Sequence, residues 1–77
     1  MAYIGEFTSV PSSTHSLHKP VLCGWRTFDV DGTRILQLDT YGSEARQIPG
    51  KVSQTIQIDG ARAAELVHLI KEIFPGN

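Results

Sequence analysis

Two β-rich segments joined by an Asp-Gly pair constrain the fold of this chain more than any other feature. The segment "VLCGWRTFDV" ends at Val30, the segment "TRILQLDTY" begins at Thr33, and Asp31 and Gly32 lie between them. Asp-Gly is typical of a two-residue type I′ turn, in which both central residues have positive φ. The pattern therefore predicts an antiparallel β-hairpin.

A two-residue turn also predicts the register of this hairpin. The expected pairs are Val30 with Thr33, Phe28 with Ile35, Arg26 with Gln37, and Trp25 with Leu38. Because residues directly opposite each other share a face, one face is expected to carry Val21, Cys23, Trp25, Thr27, Leu36 and Leu38. The other is expected to carry Leu22, Arg26, Phe28, Val30, Ile35, Gln37, Asp39 and Tyr41.

A third alternating segment, "KVSQTIQI", covers residues 51–58. Its polar side consists of Lys51, Ser53, Thr55 and Gln57, and its other side consists of Val52, Gln54, Ile56 and Ile58. Gln54 does not suit an apolar face, since a buried amide needs hydrogen-bond partners. We expect either that Gln54 lies beyond the end of the covering helix or that a bulge shifts the register.

The C-terminal segment predicts one amphipathic helix over residues 60–74. Asp59 is expected to cap it, because a carboxylate accepts from free backbone N–H groups and suits the positive end of the helix dipole. The apolar side chains recur at helical spacing and form a stripe of Ala63, Leu66, Val67, Ile70, Ile73 and Phe74. Leu66, Val67, Ile70 and Phe74 are expected to be buried and His68 exposed.

The element order predicts an α+β fold with a single domain over residues 1–77. An antiparallel sheet of three to four strands precedes one C-terminal helix that packs on one sheet face. The segment 3–10 is the candidate for the first strand. A chain of 77 residues buries only part of its unfolded surface and is marginally stable alone. We therefore expect a homodimer.

Charge and cysteine content narrow the class of protein. Seven Lys and Arg against eight Asp and Glu give a net charge of −1, which argues against a strong general polyanion binder but allows a local basic patch. The single cysteine excludes an internal disulfide, so a cytoplasmic location is expected. No signal peptide and no membrane-spanning segment are predicted.

The candidate residues for metal binding or catalysis are His15, His18 and Cys23. A structural zinc site needs four ligands at tighter spacing. A Cys–His nucleophile pair is conceivable, but Cys23 is expected on the core face, where a lone cysteine acts as a small hydrophobic residue. We therefore expect a non-enzymatic protein without a metal or other cofactor.

The face away from the helix is the candidate site. It should combine cations, aromatic rings, amides and hydroxyls from Arg26, Phe28, Gln37, Tyr41, Lys51, Ser53, Thr55 and Gln57. Bases stack on aromatic rings while cations track phosphates, so such a face suits single-stranded nucleic acid. Its apolar members Phe28 and Ile35 equally allow a protein interface in a regulatory or interaction module.

The second half of the chain resembles the PC4/p15 family of transcriptional coactivators. The matching residues are Leu38, Asp39, Pro49, Gly50, Lys51, Ile56, Ile58, Leu66, Leu69 and Ile70, in roughly the last 45 residues. The resemblance implies a curved four-stranded sheet, a helix-mediated homodimer and single-stranded DNA bound across the sheets. It makes Lys51 the best match to a DNA-contacting turn lysine, with Arg46 and Tyr41 as further contacts.

Overall fold

A computed structural model describes residues 1–13, 16–42 and 51–76. It contains four strands and one helix: β1 (Ala2–Tyr3), β2 (Cys23–Val30), β3 (Thr33–Tyr41), β4 (Val52–Ile58) and α1 (Gly60–Ile73). The strands form one sheet in the order β1-β4-β3-β2. The predicted α+β class is confirmed: an open four-stranded sheet is followed by one C-terminal helix.

The hairpin of β2 and β3 has the register that the Asp-Gly pair predicts. All four expected pairs are present, from Val30 with Thr33 to Trp25 with Leu38. Asp31 has φ of 49° and Gly32 has φ of 81°, so both turn residues adopt the left-handed region. Gly32 tolerates this φ because it lacks a Cβ, and aspartate is among the few other residues that visit it routinely.

Strand β4 pairs antiparallel with β3, and its start contains the irregularity that Gln54 suggested. Thr40 pairs with Gln54 but Tyr41 pairs with Val52, so Ser53 is an additional residue in β4. A bulge of this kind bends a strand and increases its twist. Gln54 is exposed, so its amide needs no partner inside the protein.

The first strand differs from the prediction in length and direction. It contains only Ala2 and Tyr3 and pairs parallel with Ile56 and Gln57 at the outer edge of β4. The sheet is therefore mixed rather than purely antiparallel. A hydrogen bond of 2.9 Å from the Ile4 N–H to the Gln57 carbonyl continues the pairing.

The helix starts as predicted but is far less buried than predicted. The Asp59 side chain accepts from the backbone N–H of Arg62 and caps the helix. No residue of α1 is buried, however, and Val67, Ile70, Ile73 and Phe74 are all exposed. The predicted burial of Leu66, Val67, Ile70 and Phe74 was wrong, with Leu66 only half-buried. The predicted exposure of His68 is confirmed.

Few side chains form a core within this chain. Among the described residues, the buried apolar side chains are Ile35 and Ile58, which are 6% and 4% exposed. Trp25, expected under the helix, is 73% exposed, and Cys23 is exposed as well. Both corrections have the same cause: α1 packs mainly against β4, which β3 separates from the hairpin strand β2.

Candidate functional site

One face of the sheet collects most of the predicted binding residues. The strand register forms rows of neighbouring residues across the sheet. One row contains Arg26, Gln37 and Gln57, and the next contains Asp39 and Thr55. We call this surface the polar face. It is formed by Arg26, Phe28, Ile35, Gln37, Asp39, Tyr41, Thr55 and Gln57. The opposite surface, the apolar face, carries Trp25, Leu36, Leu38, Ile56 and Ile58.

Asp39 organises the polar face. Its side chain is 1% exposed and accepts hydrogen bonds from Thr55 Oγ1 at 2.8 Å and from Gln37 Nε2 at 3.0 Å. The Arg26 guanidinium lies 3.0 Å from the same carboxylate. Gln57 Nε2 donates to Gln37 Oε1 at 2.8 Å, so the connected polar groups extend across β2, β3 and β4.

The Asp39 carboxylate is stabilised in its ionised form. The hydrogen bond from Thr55 is the main cause that lowers its pKa below the usual 3.8, and Gln37 and Arg26 act in the same direction against desolvation. A buried carboxylate is tolerated only when it is paired and hydrogen-bonded, and here both conditions are met. The network therefore fixes the positions of the polar side chains on this face.

Arg26 faces solvent although its charge is paired. The side chain is 59% exposed while its guanidinium contacts the buried Asp39. A planar guanidinium held at one end by a carboxylate is pre-organised for stacking and for further hydrogen bonds. The pairing also lowers the net positive charge that this face presents to a polyanion.

The remaining predicted residues do not all share the polar face. The bulge pairs Tyr41 with Val52, so the alternation that was expected to put Lys51 on the same side as Thr55 is interrupted. The Tyr41 ring packs against Gly24, where an added Cβ would lie 3.4 Å from the ring. Phe28 is half-buried, Lys51 is exposed just before β4, and Ser53 is exposed at the bulge. The predicted contact Arg46 and the loop histidine His15 lie outside the described residues.

Sequence reasoning missed the roles of three residues on or beside this face. Asp39 was assigned to it by strand alternation, but its role as the central acceptor was not predicted. Tyr3 joins through β1, and its hydroxyl donates to Asp59 Oδ2 at 2.5 Å. That hydrogen bond raises the pKa of Tyr3 and is the main cause of the lowered pKa of Asp59. Asp31 was interpreted only as a turn residue.

A second candidate surface is apolar. Trp25 and Ile56 are exposed on the apolar face, and Val67, Ile70, Ile73 and Phe74 are exposed on the helix stripe. Phe7 lies instead beside Ala64, Glu65, His68 and Leu69, on the side of α1 away from the stripe. The N-terminal segment thus covers part of the polar side of the helix and leaves its apolar side uncovered.

Within the described residues there is no group of three or more His, Cys, Asp or Glu side chains placed to hold a metal ion. None of the described helices is long and apolar enough to cross a membrane. Comparison of the chain with protein-family models, curated proteins and solved structures found no match.

Proposed function

We propose that this protein is a non-enzymatic binding protein that takes single-stranded nucleic acid on the polar face and acts as a homodimer. One observation carries the proposal. Side chains from three strands meet on one face and are linked by hydrogen bonds and an ion pair to the buried carboxylate of Asp39. They are the predicted binding residues Arg26, Gln37, Thr55 and Gln57. The resemblance to the coactivator family supports the same ligand class.

The chemistry of the face suits a flexible single strand better than a duplex. Arg26 offers a fixed planar cation, and Tyr41 and Phe28 offer rings on which bases stack at roughly 1–3 kcal/mol each. Lys51 is exposed at the start of β4 and can meet a phosphate. Stacking and phosphate contacts of this kind give little sequence preference.

Charge limits the expected affinity. Arg26 is paired with Asp39, and Arg34 is paired with Asp29 across the hairpin at 2.5 Å. The whole chain has a net charge of −1. We therefore expect moderate affinity at low salt that falls as salt rises, with two faces per dimer compensating for the low charge of each.

The homodimer is supported by surface area. The chain exposes 6680 Å², whereas a compact monomer of 8.5 kDa exposes about 4,700 Å². Part of the surplus belongs to residues 8–13 and 16–22, which are exposed throughout. Exposed apolar side chains include four on the helix stripe and two, Trp25 and Ile56, on the apolar face. A stable dimer needs to bury only about 800 Å² per partner.

A second function is favoured by the same apolar surface. Trp25 is 73% exposed, and tryptophan is enriched among the residues that dominate the energy of protein interfaces. The alternative is therefore a protein-interaction or regulatory module without nucleic-acid binding. Binding to a protein through apolar contacts would depend little on salt.

The decisive experiment is fluorescence anisotropy of a labelled single-stranded oligonucleotide at two salt concentrations. We expect binding at low salt that weakens steeply at high salt. Lys51→Ala should weaken binding to all single strands about equally and lower the salt slope by about one contact. Lys71→Ala is the matched control, because it removes the same charge from the last turn of the helix.

Two results would contradict the proposal. The first is the absence of binding to single-stranded DNA and RNA even at low salt. The second is an equal effect of Lys51→Ala and Lys71→Ala, which would mean that net charge rather than a contact at the start of β4 controls binding. Either result would favour the alternative function, a protein-interaction or regulatory module, over nucleic-acid binding.

A further inference from the structure

A hollow of about 380 Å³ opens where the polar face meets the hairpin turn. Its lining combines two aromatic rings, aliphatic side chains, a hydroxyl, a carboxylate and an amide, and consists of Tyr3, Phe28, Val30, Asp31, Thr33, Ile35 and Gln57. A mainly apolar concavity with a few convergent polar groups is the usual form of a small-ligand site.

The fold holds the walls of the hollow in place. Phe28 and Ile35 are directly opposite each other in the hairpin, and Ile35 is buried. Tyr3 reaches the site because β1 pairs it with Gln57, and its hydroxyl is bonded to Asp59. The ring of Tyr3 therefore lines the hollow while its polar end is engaged elsewhere.

The polar groups at the rim determine which ligand fits. Asp31 occupies the turn with φ of 49°, a position set by the hairpin. As a carboxylate it accepts hydrogen bonds and repels anions, so it disfavours a phosphate in the hollow. Gln57 belongs to the hydrogen-bonded network of the polar face, which makes the hollow continuous with that face.

We propose that the hollow takes one base of the bound single strand, and that Asp31 favours bases with an exocyclic amino group. Phe28 and Tyr3 contact the planar ring, as aromatic side chains do in single-strand binding. The Asp31 carboxylate accepts from the amino group, as carboxylates do from the N4 amino group of cytosine. Thymine presents carbonyl oxygens at its edge, which the carboxylate disfavours. This inference rests on the proposed nucleic-acid binding.

The test compares oligo-dC with oligo-dT of equal length at one low salt concentration, using anisotropy. The wild-type protein should bind oligo-dC about tenfold more tightly, the lower part of the discrimination that one well-made base contact supplies. Asp31→Asn should remove the preference, chiefly by improving the binding of oligo-dT. Asparagine tolerates the left-handed turn position as well as aspartate does, so the fold is retained.

Two further variants make the result specific. Glu72→Gln makes the same carboxylate-to-amide change on an exposed part of the helix and should leave the preference unchanged. Phe28→Leu should weaken both oligonucleotides, because it removes a ring and keeps an apolar side chain. Equal binding of both oligonucleotides by the wild type, or a preference that survives Asp31→Asn, would overturn the base-selective hollow alone. Failure to bind either oligonucleotide would overturn the proposed function as well.

Discussion

At the scale of single residues, Asp39 shows what strand alternation predicts and what it leaves out. Alternation placed Asp39 on the same face as Arg26, and the hairpin register confirmed it. The convergence of Thr55 and Gln37 on its carboxylate depends on the pairing of β3 with β4, whose connection is long. No local pattern specifies the register of such a pair, so the centre of the site was missed.

Asp39 should make the protein sensitive to acid. A carboxyl group whose folded pKa is lower than its unfolded value of 3.8 stabilises the fold above that value. The contribution is lost as the pH falls through the folded pKa. We expect the urea midpoint of the wild type to drop over this acid range. In Asp39→Asn the drop should be smaller, and the midpoint at neutral pH should be lower.

The decrease of the urea midpoint at low pH should be smaller in Asp39→Asn but should not vanish. Asp29 and Asp59 also have lowered pKa values, caused mainly by hydrogen bonds from Arg34 and Tyr3 respectively. Their contributions to the stability of the fold are therefore also lost as the pH falls. An Asp39→Asn variant with the full wild-type acid dependence would show that the network around Asp39 does not stabilise the ionised carboxylate.

At the scale of elements, agreement with the structure follows the range of the interactions. The hairpin depends on two adjacent turn residues, and the start of the helix depends on one capping side chain, so both were predicted closely. Strand β1 is two residues long and pairs with a strand more than fifty positions away in the chain. Its position depends on contacts such as Tyr3 with Asp59, which no periodicity encodes.

The turn itself gives the element-scale prediction. Gly32 has φ of 81°, and nothing lies within 4 Å of where its Cβ would be, so backbone strain rather than a clash opposes substitution. Gly32→Val should lower the free energy of unfolding by about 1–2 kcal/mol, the cost of a left-handed conformation with a Cβ. Chemical denaturation followed by circular dichroism measures this loss.

Gly60 provides the matched control for Gly32. It opens the helix, has equal space for a Cβ and lacks a positive φ. Gly60→Ala should leave stability unchanged or raise it by about 0.4–1 kcal/mol, since it reduces the freedom of the unfolded chain. Equal losses in both variants would mean that any change at a glycine destabilises this chain and that the turn conformation is not the cause.

At the scale of the whole molecule, the sequence predicted which residues of α1 form an apolar stripe. Its prediction that the same chain buries this stripe was wrong. The stripe exists, but Phe74 is 56% exposed, and Trp25 and Ile56 on the apolar face are exposed as well. Periodicity indicates which side of a helix prefers to be buried and does not indicate whether the same chain buries it. The radius of gyration is 14.7 Å, against about 11.5 Å for a compact chain of this length, and the exposed residues 8–13 and 16–22 contribute to the difference.

A second copy is the partner that best fits these surfaces, because each chain offers both an apolar helix stripe and an apolar sheet face. In the proposed homodimer, a two-fold axis would bring the helix stripe of each chain against the apolar face of the other. We expect light scattering at high micromolar concentration to give twice the mass of 8.5 kDa. The double variant Val67→Lys/Ile73→Lys should be monomeric, because it places two charges in the interface. Both residues are exposed in the single chain, so its helix content should be retained.

His68→Lys is the control for this test, since it places a lysine on the opposite side of the same helix, beside Glu72. This variant should remain dimeric. A monomeric wild type at high concentration would exclude the homodimer. A double variant that stays dimeric would place the interface elsewhere, and the exposed edge of β2 would be the next surface to test, because an unpaired strand edge is a template for pairing with another chain.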